Sequence, residues 1–321
     1  PSGTVSASSI SIGQSGTTNG GDCETVGTWQ PQPNSSFPNG GICTLTADIQ
    51  ITGTGAGITI ASSSVTLDGA GHTVTGTQTS GSSHKGLTTC NQCHTMVVKN
   101  LTIENFSWGL RSYNANGLTI TGVTVENVGS VGMYINGVDS LLLENNTVND
   151  SGMQVFGKNS SIGVGDGTCT GTGQYVSPGT ATNAPIVIKN NQITNAGLYT
   201  SEGAGWCIEG NTITNGGVAI YSGSWDTSTP QNHIIKNNQV TGYSNGPGFD
   251  VVGTGNTFDS NTSNGNKIGF YFHHPMPASN VITNNVANNN SEYGFWEEYD
   301  PTGHTFTGNT ASGNSLGDFE G

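Results

Sequence analysis

The sequence predicts an all-β fold, a single-stranded right-handed parallel β-helix in which each repeat forms one coil of a solenoid. Three observations predict it: a phrase of about 20 to 25 residues recurs, its copies hold short alternating strands, and no stretch has helical periodicity. The phrase reads Asn-Asn-x-(Val/Ile)-x-Asn, then polar residues, then Gly-apolar-x-apolar. Clear copies begin at Asn145, Asn237, Asn284 and Gly308. A unit this short cannot bury its own apolar face, so successive copies must stack.

The repeat divides the chain into an N-terminal arm and cap, residues 1–45, and a β-helix, residues 46–321. The first segment does not repeat, as expected of a cap over the first coil. Residues 157–184 interrupt one repeat with a loop too long for a coil turn. Such loops often form a wall of a binding site, although tolerance of an insertion would also explain it. The repeat stops near Phe319 without an amphipathic cap, so we expect end-to-end self-association or a further domain there.

Regular coils become clear between Val65 and Val74, which read Val-Thr-Leu-Asp-Gly-Ala-Gly-His-Thr-Val. Together with the preceding segment from Cys43 to Thr46, this phrase resembles the NosD-like and disaggregatase-like β-helix proteins, a group of carbohydrate-binding proteins and sugar hydrolases. The resemblance covers roughly residues 43 to 321. It implies a β-helix that binds or cleaves carbohydrate, and it does not choose between the two because the group contains enzymes and non-enzymes.

The charge balance restricts the partners. The chain has 21 acidic residues against 7 lysines and arginines, a formal net charge of −14, and Arg111 is its only arginine. Nucleic acid and anionic membranes are poor partners because both require basic surface, and no apolar run is long enough to span a bilayer. An anionic polysaccharide is also disfavoured unless a divalent cation such as Ca²⁺ bridges it. The sequence therefore favours a neutral polysaccharide.

The six cysteines of this lysine-poor chain predict a secreted, extracellular protein. Their order favours three disulfides, Cys23–Cys43, Cys90–Cys93 and Cys169–Cys207, the last of which would fix the long loop. Cys90-Asn91-Gln92-Cys93-His94 also matches the attachment motif of c-type haem, in which His94 would ligate the iron. The same spacing serves a short disulfide or half of a metal site. We expect the disulfide and no cofactor, with haem and metal as open alternatives.

Two rows of side chains are predicted to face solvent on the strands that begin at the glycine of the Gly-apolar-x-apolar phrase. Positions +1 and +3 after the glycine are apolar, so +2 and +4 point outward. The +2 row is Thr88, Arg111, Tyr134, Gln154, Ala219, Asp250, Tyr271 and Trp296, and the +4 row is Cys90, Tyr113, Asn136, Phe156, Tyr221, Val252, His273 and Glu298. If Gly205 opens the intervening coil, Cys207 and Glu209 join these rows. Coils lie ~4.8 Å apart, so each row forms a ladder along the axis.

These rows predict a glycan-binding face. Amphipathic rings suit the apolar faces and hydroxyl rims of sugars, and a line of exposed rings requires an explanation. The predicted substrate-binding residues are Tyr113, Tyr134, Phe156, Tyr221, Tyr271, His273, Trp296 and Arg111. The alternative is that the aromatic ladders only stabilise strand pairing.

The predicted catalytic pair is Asp250 and Glu298, with Glu209 as a substitute member. Two coils separate Asp250 from Glu298, about 10 Å along the axis, which permits the ~6.5–9.5 Å separation of an inverting glycosidase. One carboxyl group would act as general acid and the other would activate water, while Tyr271, His273 and Trp296 position the sugar. Alternatively, these acidic residues serve only solubility.

The leading hypothesis is thus a secreted glycoside hydrolase acting on an extended, neutral glycan. A polysaccharide lyase or epimerase would use Tyr271 or His273 as base, but it needs a nearby cation, and Arg111 is too far from His273. Adjacent His273 and His274 point to opposite faces of a strand, which disfavours a shared metal. Two non-enzymatic alternatives are an extracellular fibre, with or without haem, and a glycan-binding module without catalysis.

Overall fold

The computed structural model confirms the predicted all-β architecture. The structure describes residues 3–13, 20–32, 40–77, 84–157, 169, 186–201, 203–221, 232–273, 279–298 and 303–320. Of the predicted loop at residues 157–184, only Gly157 and Cys169 lie within the described residues. No helix in the described ranges is long and apolar enough to cross a membrane.

The secondary structure consists of short strands and one short helix, α1 (Cys23–Val26). The N-terminal strands are β1 (Thr4–Ala7), β2 (Ile10–Ile12), β3 (Gly27–Pro31), β4 (Gly41–Leu45), β5 (Asp48–Ile51), β6 (Ala56–Ile60), β7 (Val65–Asp68), β8 (Thr73–Thr75), β9 (Lys85–Thr89), β10 (His94–Glu104), β11 (Trp108–Tyr113), β12 (Asn116–Glu126), β13 (Val131–Val138), β14 (Leu141–Glu144), β15 (Thr147–Asn149) and β16 (Gly152–Gly157). The later strands are β17 (Ile186–Lys189), β18 (Gln192–Thr194), β19 (Leu198–Ser201), β20 (Cys207–Glu209), β21 (Thr212–Thr214), β22 (Val218–Tyr221), β23 (Ile234–Lys236), β24 (Gln239–Thr241), β25 (Pro247–Val252), β26 (Thr257–Asp259), β27 (Thr262–Asn264), β28 (Ile268–Phe272), β29 (Val281–Thr283), β30 (Val286–Asn288), β31 (Tyr293–Glu297), β32 (Thr305–Thr307), β33 (Thr310–Ser312) and β34 (Gly317–Glu320).

The strands form two sheets that wind around one interior. Within the described residues, the larger sheet has 22 strands and the smaller sheet has 12. A typical coil gives two strands to the larger sheet and one to the smaller sheet, as in β14, β15 and β16, and each pairs in parallel with its counterpart one coil later. The antiparallel pair of β3 and β4 belongs to the N-terminal segment. The larger sheet is therefore bent once per coil, and the smaller sheet is a single face.

The bend in the larger sheet explains the first asparagine of the repeated phrase. Asn145, Asn190, Asn237 and Asn284 have φ between 55° and 56°, in the left-handed region. Asparagine tolerates this conformation better than most residues because its short polar side chain can bond to nearby backbone. The strand on each side of this residue is short and extended, so one left-handed residue turns the chain without a loop.

The second asparagine of the phrase points inward and forms what we call the Asn ladder. Its members are Asn146, Asn191, Asn211, Asn238, Asn261, Asn285 and Asn309. In each step the backbone N–H and the side-chain Nδ2 of one asparagine donate to the Oδ1 of the next, at 2.8 to 3.0 Å. Buried amides are costly unless paired, and here each one satisfies its neighbour.

Apart from a smaller number of buried polar residues such as His233 and Asn256, the rest of the interior is apolar, as the alternation predicted. Phe249, Phe270 and Phe295 are at most 1% exposed and stack face to face, with ring centroids 4.7 and 4.8 Å apart. The preceding coils bury aliphatic residues such as Met133 and Ile135 at the same positions. Phe319 continues the stack on the last described coil, where it is 54% exposed. End-to-end association through this coil stays a prediction.

The N-terminal segment is less separate from the β-helix than its lack of repeats suggested. β1 pairs in parallel with β5 and β2 pairs in parallel with β6, so the arm already forms part of a coil. The three predicted disulfides are all present: Cys23–Cys43 joins α1 to β4, Cys90–Cys93 closes a turn, and Cys169–Cys207 ties one residue of the long loop to β20.

Candidate active site

The smaller sheet carries the predicted outward rows in the expected register. Arg111 pairs with Thr88 and Tyr134, and Tyr134 pairs with Gln154. At the other end Asp250 pairs with Tyr271, and Tyr271 pairs with Trp296. Because pairing is parallel and in register, these side chains follow one another along the helix axis.

Glu209 lies elsewhere, and its predicted place in the rows is wrong. It belongs to β20 in the larger sheet, pairs with Lys189 and Lys236, and forms an ion pair with Lys236 at 3.4 Å. Tyr199 on β19 occupies the intervening position of the +2 row, between Gln154 and Ala219. Cys207 is likewise in the larger sheet, bonded to Cys169. The structure therefore removes Glu209 from the candidate catalytic residues.

Tyr199 completes a continuous line of rings, which we call the aromatic track. Its members are Tyr113, Tyr134, Phe156, Tyr199 and Tyr221. Successive ring centroids lie 5.6, 5.4, 5.5 and 5.3 Å apart, and each ring is partly exposed. The track alternates between the +2 and +4 rows, so it crosses the sheet in a zigzag while it follows the axis.

A groove opens beside the track where the +2 row has its smallest side chain, Ala219. It has a volume of about 480 Å³, and its lining includes Gln154, Tyr199, Tyr243 and Asp250. Glycines at the edge of the sheet let neighbouring coils approach closely: a Cβ at Gly217 would lie 2.5 Å from the carbonyl oxygen of Pro247. The groove thus joins the aromatic track to a carboxylate.

The carboxylate belongs to a chain of hydrogen bonds that we call the acid–histidine cluster: Tyr221, Asp250, His273 and Glu298. The Tyr221 hydroxyl donates to Asp250 Oδ2 at 2.6 Å, and His273 Nε2 donates to Asp250 Oδ1 at 2.6 Å. The other ring nitrogen, Nδ1 of His273, lies 3.3 Å from Glu298 Oε2. The histidine therefore bridges the two carboxylates that the sequence selected as a pair.

Electrostatics in this cluster favour protons on the tyrosine and the histidine. Burial alone would lower the pKa of His273, but the hydrogen bond to Asp250 and the charges of Asp250 and Glu298 outweigh it, so the pKa is raised. The pKa of Tyr221 is also raised, first by burial and then by its hydrogen bond to Asp250. Asp250 accepts a hydrogen bond from each of these two groups.

A second aromatic surface lies on the far side of the cluster. Tyr271 stacks on Trp296 with ring centroids 4.5 Å apart and planes 11° from parallel, and its ring lies 3.8 Å from that of His273. Tyr293 adds a third ring, 5.5 Å from Trp296. The acid–histidine cluster is therefore flanked by rings along the axis in both directions.

Arg111 lies at the opposite end of the aromatic track, five register steps from Asp250. Its guanidinium carbon is 4.8 Å from the ring centre of Trp108 and 4.7 Å from that of Tyr113. The five register steps between Arg111 and Asp250 place Arg111 too far away to act on the same reacting atoms as His273.

Several other sequence-predicted positions do not join the site. Val252, expected to point outward in the +4 row, is 1% exposed and therefore does not. Cys90 and Cys93 are joined to each other, which uses the two thiols that a haem attachment would need. Cys169, Cys207 and Glu209 have ligand atoms within 4.8 Å of one another, but the two cysteines form a disulfide and so offer no thiolate. His274 lies outside the described residues.

The family model "right handed beta helix region" matches residues 175–319. A search of curated proteins found no match. Among solved structures, the catalytic domain of a GH87 alpha-1,3-glucanase in complex with nigerose is similar with a TM-score of 0.52 and 14% identity, covering 99% of this chain and 60% of that one. The present chain thus spans less than two thirds of the glucanase chain.

Two further solved structures are similar at lower scores. An alginate lyase from Paenibacillus sp. str. FPU-7 has a TM-score of 0.45 and 15% identity, covering 87% of this chain and 90% of that one. The A-module of a mannuronan C-5 epimerase from Azotobacter vinelandii has a TM-score of 0.42 and 13% identity, covering 99% and 88%. At such identities, structural likeness reports architecture only. The strand pairing, the family match and the likeness to the glucanase domain together identify the fold as a right-handed parallel β-helix.

Proposed function

We propose that this protein is a polysaccharide-active enzyme that hydrolyses an extended glycan bound along the aromatic track. The observation that carries the proposal is the acid–histidine cluster, in which His273 bridges Asp250 and Glu298 beside the groove. The glucanase that shares this fold is named for hydrolysis of a glucan and binds a sugar, which supports the same class of substrate. Because all six cysteines are in disulfides, we also propose that the protein works outside the cell.

The hydrogen bonds assign different roles to the two carboxylates. Asp250 accepts hydrogen bonds from Tyr221 and His273 and lines the groove, a position from which it can act as the general base. Glu298 is exposed and lies 3.3 Å from His273 Nδ1, so a leaving group can reach it. We assign Glu298 as the general acid.

In this mechanism a water molecule attacks the anomeric carbon and gives one proton to Asp250. The bond between that carbon and the glycosidic oxygen breaks, and the oxygen takes the proton of Glu298. Asp250 then releases its extra proton to solvent and Glu298 takes one up from solvent, so both carboxylates return to their starting states. His273, which contacts both carboxylates, holds them in position.

The spacing of the pair favours inversion of configuration. An imidazole ring and two hydrogen bonds of 2.6 and 3.3 Å separate the carboxylate oxygens. That arrangement exceeds the ~5–5.5 Å typical of retaining enzymes and fits the ~6.5–9.5 Å typical of inverting ones.

The test is hydrolysis by Asp250→Asn and Glu298→Gln on a panel of glucans, xylans and mannans, with release of new reducing ends as the measurement. Loss of the base or the acid lowers kcat by about 10²- to 10⁴-fold. Matched controls on the larger sheet are Asp259→Asn and Glu144→Gln, whose carboxylates bond to Thr283 and Lys189. Full activity of both site variants on a glycan that the wild type cleaves would contradict the proposal.

A β-eliminating lyase is the second candidate, because Tyr271 lies against His273 and a protonated imidazole next to it would neutralise a uronate. The two reactions differ in product: elimination leaves an unsaturated sugar that absorbs ultraviolet light, and hydrolysis does not. Incubation with polygalacturonate and alginate, followed by absorbance together with reducing-end release, separates them. Retention of a glycan with neither signal would indicate binding without catalysis.

A further inference from the structure

The surroundings of Arg111 differ from those of four of the lysines. Lys99, Lys189, Lys236 and Lys267 each form an ion pair with a carboxylate on a neighbouring coil. Among the described residues, no carboxylate pairs with Arg111, although the chain contains 21 acidic residues. A cation without a counter-ion on the face proposed to bind substrate requires an explanation.

Aromatic rings hold the guanidinium in place. Trp108, Tyr113 and Tyr134 surround it with ring centres 4.8, 4.7 and 5.6 Å from its central carbon, and Nη2 donates to the Tyr113 hydroxyl. These contacts stabilise the cation but provide little of the hydrogen bonding that its five N–H groups can make. The Nε atom is buried and has no hydrogen-bond acceptor among the residues that the structure describes. The guanidinium is thus positioned, still charged and incompletely bonded.

Lys85 adds positive potential beside it. Lys85 pairs in register with Trp108, the ring under the guanidinium. Burial, and then the charge of Arg111, lower the pKa of Lys85, so the two groups sense one another.

We infer that Arg111, with Trp108, Tyr113 and Tyr134, forms a second subsite that binds an anionic group of the polysaccharide, a carboxylate or a sulfate ester. This inference rests on the proposed function and names a feature of its substrate. A guanidinium presents parallel N–H groups that match the two oxygens of either anion. Five coil spacings of ~4.8 Å place this subsite about 24 Å from Asp250. A long glycan lying on the aromatic track would reach both.

The net negative charge of the chain does not oppose such binding locally. At physiological ionic strength, charges farther apart than ~8 Å are largely screened, so the acid–histidine cluster has little influence on an anion at Arg111. The glycan would be neutral where it meets the groove and anionic one track length away. A purely structural cation–π role would explain the rings but not the missing counter-ion.

Since Arg111 is the only arginine, labelling with ¹⁵N-arginine gives one Nε resonance. We would titrate the full-length protein with a galacturonate hexamer, a sulfated glucan hexamer and an unsubstituted glucan hexamer at constant ionic strength. A saturable shift with either anionic hexamer and none with the neutral one supports the subsite and tells carboxylate from sulfate. No shift with both anions, or an equal shift with the neutral hexamer, overturns it.

Variants test the same point by affinity. Arg111→Met keeps the apolar stem and removes the charge, and Arg111→Lys keeps the charge without the planar fork. Loss of a charge-assisted, paired contact weakens binding of the anionic hexamer by about tenfold or more, with the lysine variant intermediate. Lys99→Met, on the larger sheet, is the matched control and leaves this affinity unchanged.

A thermal melt confirms that each variant is folded, and the resonance titration decides the question if Arg111→Met is not. Equal affinity of wild type and Arg111→Met for the anionic hexamers would overturn the inference. Because binding is measured without turnover, failure of the subsite does not resemble failure of the catalytic assignment: Asp250→Asn tests the latter on neutral substrates alone.

Discussion

The Asn ladder inside the β-helix and the +2 row outside it run through the same coils. In both columns each residue is aligned with its counterpart one coil later, so the backbone pairing follows the same rule in both. The ladder repeats one side chain and pairs each amide with the next, whereas the row changes from Arg111 through Tyr199 to Asp250. A column that repeats one residue stabilises the coil stack, and a column that varies presents different chemistry at each level. The ladder lies in the larger sheet and the row in the smaller sheet, so stability and function are separated between the two sheets of each coil.

Breaking the ladder gives the largest expected effect on stability. Asn238 accepts from the backbone and side chain of Asn211 at 2.9 Å, and it donates to Ile208 and Asn261. Asn238→Ala leaves these buried groups unpaired, and at ~1–3 kcal/mol for such groups we expect about 4 kcal/mol less unfolding free energy. Urea unfolding followed by circular dichroism measures it.

The adjacent Asn237 is the matched control for that variant. Asn237 is exposed with φ of 56°, so Asn237→Gly keeps an allowed backbone and costs less than about 1 kcal/mol. Similar losses for both variants would show that the ladder has no special role.

A second inward column makes stability depend on pH. His233 Nδ1 accepts from the backbone of Trp206, and burial lowers the pKa of His233 to about 3. The unfolded chain, with an ordinary histidine pKa near 6.5, therefore binds the proton more readily. The stabilisation is complete above pH 6.5 and is lost as the pH falls toward 3, by about 3 kcal/mol at pH 4.

His233→Asn sharpens this test because Asn256 and Asn280 hold the same place in the next two coils. The variant should lose less unfolding free energy than the wild type between pH 7 and pH 4, since asparagine does not titrate. All other groups titrate in both proteins, so the difference isolates His233. Parallel pH profiles would refute the assignment.

The outward row gives the smallest effect on stability and a clear effect on binding. Tyr199→Ala removes a ring from the middle of the aromatic track, where pairs contribute ~0.5–1.5 kcal/mol, so unfolding should change little. On the glycan that the wild type hydrolyses, we expect KM to rise about tenfold, the equivalent of ~1.4 kcal/mol, with kcat less affected. Thr214→Ala, on the larger sheet, should leave both constants unchanged. An unaltered KM for Tyr199→Ala would show that the aromatic track does not contribute to substrate binding.

Much of this architecture could be predicted from alternation alone. The period of two placed Phe249 and Phe270 inside and Asp250, Tyr271 and Trp296 outside, and the register bears out each position. Alternation assigns the faces correctly here because one face of every strand is fully buried, so a shift of the register by one residue would bury a charged side chain.

The intervening coil shows where alternation failed. Its true strand, Leu198–Ser201, carries Thr200 at a core position, where it is 2% exposed and donates to the carbonyl of Ala219. That polar residue broke the apolar pattern, and the segment after Gly205 looked more regular although it belongs to the larger sheet. Hydropathy cannot distinguish a buried hydroxyl that donates to a carbonyl on the next coil from a hydroxyl that faces solvent.

The bridge between the carboxylates also lay beyond sequence reasoning. His273 follows the last residue of β28, and Glu298 follows the last residue of β31. Their contact depends on side-chain rotamers beyond the strand ends, which parity does not determine. The sequence thus predicted which residues share the face but not that the histidine would stand between the two acids.

The Asn ladder also bears on how such a molecule changes over generations. Each inward asparagine accepts hydrogen bonds from one neighbouring coil and donates hydrogen bonds of the same kind to the other. The two edges of a coil therefore present matching hydrogen-bonding groups. Duplication or deletion of one unit in the gene would rejoin the stack without leaving a mismatched layer. The distance between Arg111 and Asp250 would then change by whole coils. The length of polysaccharide that the aromatic track spans would change with it, while the residues at each end stayed the same.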